Sequence, residues 1–127
     1  MLEEAEKIKN FTDLDAWKEG HRLVLMVYET TRSFPREELF GLVSQMRRCA
    51  VSITSNIAEG FSRRSARDKA HFCTMAMGSL TELQNQLLIG RDLLFIPTEV
   101  FDGVSMQAIR VQKLINGLIR HLASRDT

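Results

Sequence analysis

Apolar residues recur every three or four positions along most of the chain, whereas the alternation of apolar and polar residues typical of strands is nearly absent. This spacing places the apolar side chains on one face of an α-helix. Prolines occur only at positions 35 and 97, where the periodic pattern is interrupted. The pattern predicts four helices, over residues of about 13–32, 35–60, 66–95 and 98–123.

Local signals mark several of the predicted helix ends. Thr12 or Asp13 is placed to cap the first helix. Gly60 is expected to end the second helix in a left-handed conformation. Ser65, followed three residues later by Asp68, is expected to cap the third helix.

Each predicted helix carries one continuous apolar face. For the second and third helices, the residues on this face are Leu39, Leu42, Met46, Cys49 and Ile53, and then Cys73, Ala76, Leu80, Leu83, Leu87 and Leu94. Connections of about three to six residues favour antiparallel neighbours. The sequence therefore predicts an all-α fold, an antiparallel up-down-up-down four-helix bundle, formed by residues 1–127 as a single domain.

Composition narrows the class of protein. A chain of 127 residues with 44% hydrophobic and 26% charged residues is typical of a globular domain. A formal net charge of +1 excludes a polycation that binds by bulk charge. Residues 1–6 are acidic, unlike the basic start of a signal peptide, and no apolar run approaches the ~20 residues of a membrane span. We expect a cytoplasmic protein that does not enter a membrane.

Residues with metal or catalytic chemistry are sparse. His21, His71 and His121 are isolated, with no Glu-x-x-His or paired-histidine spacing, so we expect no metal site and no cofactor. Cys49 and Cys73 are equally far from the predicted turn, and we expect them to face each other as reduced packing residues. No catalytic residue is predicted, and we do not expect an enzyme.

A polar stripe runs along the second helix beside its apolar face. It consists of Gln45, Arg48, Ser52, Asn56 and Glu59. One interpretation is a buried hydrogen-bond network that fixes helix register. A second is a recognition surface for a partner protein or RNA, and a third is a small enzyme that uses Arg48, Asn56 and Glu59.

Positive charge is concentrated around the connection between the second and third predicted helices, which form a helical hairpin. Residues 47–73 carry a net charge of +4, which leaves −3 for the rest of the chain. The candidate nucleic-acid contacts there are Arg47, Arg63, Arg64, Arg67 and Lys69. Because Phe61 is the only aromatic residue among these arginines, contact with the RNA backbone is favoured over base stacking. The alternative is an ordinary solvated loop.

Small residues on the third helix suggest contact between copies of the chain. Gly78 and Ser79, with Glu82 one turn later, lie off the main apolar face and permit a close approach from outside. This pattern leads to the hypothesis of a homo-oligomer.

Several of these motifs occur together in one known family. In order and spacing, residues 11–122 resemble the four-helix-bundle family of 23S ribosomal RNA intervening-sequence proteins. The motifs are Phe11-x-x-Leu14-x-x-Trp17, Phe34-Pro35-x-x-Glu38, Leu42-x-x-Gln45-x-Arg47-Arg48, Ser52-x-x-x-Asn56-Ile57-Ala58-Glu59-Gly60 and Ala76-x-Gly78-Ser79-Leu80-x-Glu82-Leu83.

The resemblance implies a ring-like homo-oligomer, expected as a pentamer, with Trp17, Gly78, Ser79 and Glu82 as candidate subunit contacts. Related accessory proteins of diversity-generating retroelements bind nucleic acid and a reverse transcriptase. RNA or a nucleic-acid-processing protein is therefore the expected partner. The favoured function is a non-catalytic accessory protein that binds RNA, and the alternative is a homo-oligomeric protein-interaction scaffold.

Overall fold

The computed structural model describes residues 8–125, so the acidic stretch at residues 1–6 lies outside the described residues. Four α-helices account for most of the described chain: α1 (Asp15–Thr31), α2 (Ser44–Ser62), α3 (Ala66–Asp92) and α4 (Thr98–Arg125). A 3₁₀ turn, Phe11–Asp13, precedes α1. A second 3₁₀ turn, Arg36–Glu38, leads into a π-helical turn, Leu39–Val43.

The four helices form the predicted up-down-up-down bundle. α1 packs on α2, α2 on α3 and α3 on α4, and α4 closes the bundle against α1. The last contact includes a hydrogen bond of 2.8 Å from Gln107 Nε2 to the Glu19 carbonyl oxygen. No strand occurs among residues 8–125. The all-α prediction is confirmed.

The bundle core draws large aliphatic side chains from every helix. Those that are almost completely buried are Leu23, Val27, Met46, Ile53, Ile57, Leu80, Leu83, Leu87, Val104, Val111 and Ile115. They are spaced by three and four residues within each helix, so one face of each helix meets the others. Packing of these faces fixes the four helices relative to one another.

The start of the second helical segment differs from the prediction. The continuous helix predicted from residue 35 is wrong, because the chain passes through the 3₁₀ and π-helical turns first. Gly41 leaves the helical conformation there, with φ −112° and ψ −109°. The widened turn rotates the preceding residues, so Leu39, predicted to face the core, is 45% exposed. Phe40 is 93% exposed.

Gly60 does not end α2, so the prediction of a left-handed stop is wrong. The helix continues to Ser62, and no described glycine has a positive φ. Gly60 instead permits close packing of α2 on α3. A Cβ atom built there lies 3.0 Å from Phe72 Cβ and 3.2 Å from the Lys69 carbonyl oxygen.

Because α2 ends at Ser62 and not at Gly60, the turn between α2 and α3 lies further along the chain than predicted. This shift changes which residues of the two helices face each other. Cys49 lies opposite Glu82 and Gln86, not Cys73, so the prediction that the two cysteines face each other is wrong. Cys73 lies nine residues before Glu82 on α3. Both thiols are free and buried, and burial raises the pKa of each.

The C-terminal end of α3 also departs from the prediction. The helix ends at Asp92 through hydrogen bonds from Leu94 N to Arg91 O, and from Phe95 N to Gly90 O. This pattern is a Schellman motif, whose left-handed position is usually glycine. Here Leu94 occupies it with φ 64°. Leu94 is 89% exposed. The prediction that it lies on the apolar face is therefore wrong.

The remaining helix ends confirm one prediction and correct two. Ser65 caps α3 as predicted, since its Oγ accepts a hydrogen bond of 3.0 Å from Asp68 N. The expected cap at Thr12 or Asp13 is wrong. Asn10 caps the first 3₁₀ turn instead, and α1 begins at Asp15 with no side-chain cap. α4 continues to Arg125, past its predicted end at 123.

Candidate nucleic-acid interface

The basic hairpin, residues 63–69, connects α2 to α3 at one end of the bundle. Arg63 is held in place on both sides. Its Nη2 lies 3.1 Å from Glu59 Oε2, and its guanidinium lies 4.6 Å from the centre of the Phe72 ring. The ion pair offsets part of the charge of Arg63 and fixes its direction.

Lys69 is also engaged within the hairpin. Its Nζ donates a hydrogen bond of 2.7 Å to the Phe61 carbonyl oxygen, near the end of α2. The same ammonium lies 5.3 Å from the centre of the Phe61 ring. Lys69 therefore acts as a positively charged cap that satisfies a carbonyl group in the last turn of α2.

Arg64 and Arg67 differ from these two residues. Both side chains are exposed, and neither forms an ion pair within the described part of the chain. Arg64 lies in the connection, and Arg67 lies in the first turn of α3. Five guanidinium N–H donors on each arginine are suited to phosphate oxygens.

The antiparallel arrangement brings further basic residues to this end. Gln84 Nε2 donates to Gln112 Oε1 at 3.3 Å, and this bond sets the register of α3 against α4. By that register, the exposed Arg125 lies level with His71, one helical turn beyond Arg67. Arg120 is also exposed on the last turns of α4. Sequence spacing alone did not indicate these residues, but the topology would have placed them here.

Arg47 lies apart from the other predicted nucleic-acid contacts. Arg63 comes sixteen positions after Arg47, just past the end of α2, a distance of about 24 Å along a helix. Arg47 Nε donates to Thr31 Oγ1 at 3.0 Å, and its guanidinium lies 4.6 Å from the centre of the Tyr28 ring. The structure therefore brings together four of the five predicted basic residues.

The polar stripe borders a groove between α2 and α3. Ser52 Oγ and Ser79 Oγ share a hydrogen bond of 2.8 Å, and Asn56 Nδ2 donates to the Ser52 carbonyl oxygen at 2.9 Å. The groove has a volume of about 330 Å³ and is lined by Gln45, Arg48, Cys49, Ser52, Ser79, Glu82 and Gln86. Gln45 and Arg48 are exposed, so the stripe is only partly a buried network.

Gln86 lies at the base of this polar groove and was not predicted from the sequence. Its Nε2 lies 3.4 Å from Cys49 Sγ, and Cys49 Sγ lies 3.1 Å from Glu82 Oε2. The Gln86 Oε1 atom is buried and has no hydrogen-bond partner in the described structure. The signal that could have indicated it is a glutamine among apolar residues, next to the leucines at 80, 83 and 87.

Glu59, the carboxylate of the enzyme alternative, lies outside the polar groove. Half-exposed and paired with Arg63, it also lies 3.3 Å from Ser62 Oγ. Arg48 lines the polar groove, whereas Asn56 and Glu59 do not. Among residues 8–125, no three histidine, cysteine or acidic side chains form a cluster suited to a metal ion. Over the same residues, no helix has the length and apolar character needed to cross a bilayer.

A family model described as 23S rRNA-intervening sequence protein matches residues 12–117. The chain belongs to this family. The match covers α1, α2, α3 and most of α4, and so includes the basic hairpin and the polar groove. Arg120 and Arg125 lie beyond the matched residues. A comparison with curated proteins gives no match.

The residues that the family resemblance marked as subunit contacts occupy two separate places. Trp17, on α1, stacks on the His21 ring with centroids 4.8 Å apart. Gly78 is exposed on α3, and a Cβ atom built there has no packing contact within 4 Å among the residues that the structure describes. Ser79 and Glu82 contact α2 within the same chain. Among residues 8–125, no packing contact accounts for the glycine at position 78.

Proposed function

We propose that this protein is a non-catalytic accessory protein that binds the RNA backbone through the basic end of the bundle. One observation carries the proposal: Arg64 and Arg67 are exposed and free of ion pairs among the described residues, beside the anchored Arg63 and Lys69. Phosphate groups are strong acceptors for such guanidinium donors.

The anchored residues give the surface a defined shape. Arg63 is restrained by Glu59 and Phe72, and Lys69 by the end of α2. Their side chains therefore lose little further freedom when a ligand binds. Arg64 and Arg67 supply most of the unpaired charge, and Arg120 and Arg125 extend it onto α4.

The test is binding to a fluorescently labelled RNA stem-loop, measured by anisotropy at low salt. We expect the double variant Arg64→Ala/Arg67→Ala to bind about 10- to 100-fold more weakly, because two charge-assisted contacts are lost. The matched control is Arg22→Ala/Lys113→Ala, which removes two exposed cations from the middles of α1 and α4. Equal affinity of wild type and the hairpin variant would remove this surface from the mechanism.

A second candidate function is a homo-oligomeric scaffold, and the polar groove supports it. The groove presents the exposed side chains of Gln45 and Glu82, polar groups that a neighbouring copy would satisfy. We propose a ring, expected as a pentamer of the 14.5 kDa chain. Light scattering at micromolar concentration measures this directly, and a monomeric mass would contradict it. A ring repeats the basic hairpin in every subunit.

The proposal places the protein in the cytoplasm, where both buried thiols stay reduced. A nucleic-acid-processing protein is the expected second partner. Co-purification with RNase treatment distinguishes the two proposals. A partner retained after RNase supports the scaffold, and a partner lost after RNase supports binding through RNA.

A further inference from the structure

A second arginine-rich surface lies at the opposite end of the bundle from the basic hairpin. Two adjoining cavities, of about 640 Å³ and 370 Å³, lie between α1 and the start of α2. They share Leu39, Val43 and Arg47 in their linings. We call this continuous depression the arginine groove.

The charge of the arginine groove has one sign. Arg32, Arg36, Arg47 and Arg48 line it, and no aspartate or glutamate among residues 8–125 does so. The only ion pair of these arginines in that range joins Arg32 to Glu29, at 3.4 Å, and both side chains are largely exposed. Such a pair is weak in water. An occupant with negative charge is therefore favoured.

The arginine groove also presents flat aromatic surfaces. The π-helical turn directs Phe40 into solvent at the edge of the groove, with 93% of its surface exposed. Tyr28 is 39% exposed, and Arg47 stacks over its ring. The Phe40 ring therefore contributes little to packing within the bundle.

We propose that the arginine groove binds unpaired nucleotides of RNA, with a base stacked on Phe40 and phosphates contacting Arg36 and Arg48. Unpaired bases stack on aromatic rings and on guanidinium planes, and both kinds of plane are present here. An acidic peptide would also match the charge, but it has no need for a flat exposed ring. The inference rests on the proposed RNA binding, at a surface separate from the basic hairpin.

Single-stranded and duplex RNA distinguish binding at the arginine groove from binding at the basic hairpin. The probes are a labelled single-stranded uridine decamer and a ten-base-pair RNA duplex, with binding measured by anisotropy. We expect Phe40→Ala to weaken decamer binding about tenfold and to leave duplex binding unchanged. Phe40→Leu, which keeps an apolar side chain without a ring, is expected to lose as much, whereas Phe40→Trp retains the affinity.

Because Phe40 packs against little of the protein, these variants are expected to fold as the wild type does, which circular dichroism checks. The matched control is Met106→Ala. Met106 is 69% exposed and lines a groove on the α1–α4 face that also contains Asp15 and Glu19. We expect no change in decamer binding for this variant.

The outcomes distinguish this inference from the proposed function. Duplex binding that depends on Arg64 and Arg67, with decamer binding unaffected by Phe40→Ala, overturns the groove proposal and leaves the hairpin proposal standing. Decamer binding that falls with Phe40→Ala but not with Phe40→Leu indicates apolar docking and overturns base stacking. Binding of an acidic, leucine-containing peptide without binding of the decamer overturns the RNA proposal for this groove.

Discussion

Two glycines in the bundle are expected to respond oppositely to the same substitution. Gly60 lies at a close contact of α2 with α3, whereas Gly78 on α3 has no packing neighbour among residues 8–125. A methyl group at position 60 meets the Phe72 Cβ at 3.0 Å and the Lys69 carbonyl oxygen at 3.2 Å. Backbone and Cβ atoms cannot rotate away as the end of a flexible side chain can, so the two helices must separate slightly.

The magnitude follows from two opposing contributions. Replacing glycine by alanine inside a helix stabilises it by about 1 kcal/mol. Forcing an additional carbon into a packed interface costs about 1–3 kcal/mol. We therefore expect Gly60→Ala to lower the free energy of unfolding by about 1 kcal/mol, and Gly78→Ala to raise it by about 1 kcal/mol. The two variants should differ by about 2 kcal/mol.

Urea unfolding followed by circular dichroism, under reducing conditions and at equal protein concentration, measures this difference. Equal concentration matters because an assembly makes apparent stability concentration-dependent. If Gly60→Ala is stabilised as much as Gly78→Ala, the close approach of α2 and α3 at the basic hairpin is incorrect. If Gly78→Ala lowers both the stability and the assembled mass, Gly78 lies in a subunit contact.

Three further predictions concern helix ends and thiols. Leu94→Gly is expected to raise the free energy of unfolding by about 1 kcal/mol, because leucine is disfavoured in a left-handed conformation; a destabilised variant would contradict the Schellman motif. Ser65→Ala should lower it by about 1 kcal/mol through loss of the cap on Asp68 N, and an unchanged urea midpoint would contradict that role. Burial raises the pKa of the Cys49 thiol. The absorbance of its thiolate should therefore appear at higher pH in the folded protein than in the urea-unfolded chain. Because the folded pKa is the higher one, the thiol's contribution to the free energy of unfolding is present below the unfolded thiol pKa and is lost as pH rises from there through the folded pKa.

The architecture was predictable because the packing of the core repeats along every helix. Residues such as Ile53 and Leu80 recur at three- and four-residue spacing and are fully buried. Most departures from prediction lie at helix ends, and the changed partner of Cys49 within α2 follows from the later end of that helix. Glycine has the same appearance in a sequence whether it ends a helix or permits close packing, as at Gly60. Leu94 carries no sequence signal for a left-handed conformation.

The candidate site was predictable in part. Sequence clustering indicated Arg63, Arg64, Arg67 and Lys69. Which of them are engaged depends on their neighbours in the fold, because Glu59 and Phe72 hold Arg63 and Phe61 holds Lys69. Arg125 joins the same end only because α4 runs antiparallel to α3. The exposure of Phe40 depends on one π-helical turn, a local change in register that helical periodicity does not report.

The salt dependence of RNA affinity tests the central claim most directly. For the wild-type protein and the RNA stem-loop, the logarithm of the association constant should fall linearly with the logarithm of the salt concentration. The Arg64→Ala/Arg67→Ala variant should show a slope smaller in magnitude by about 1.5, because each lost phosphate contact removes about 0.7–0.9. Identical slopes for the two proteins, or no RNA binding at low salt, would contradict RNA binding through the basic hairpin.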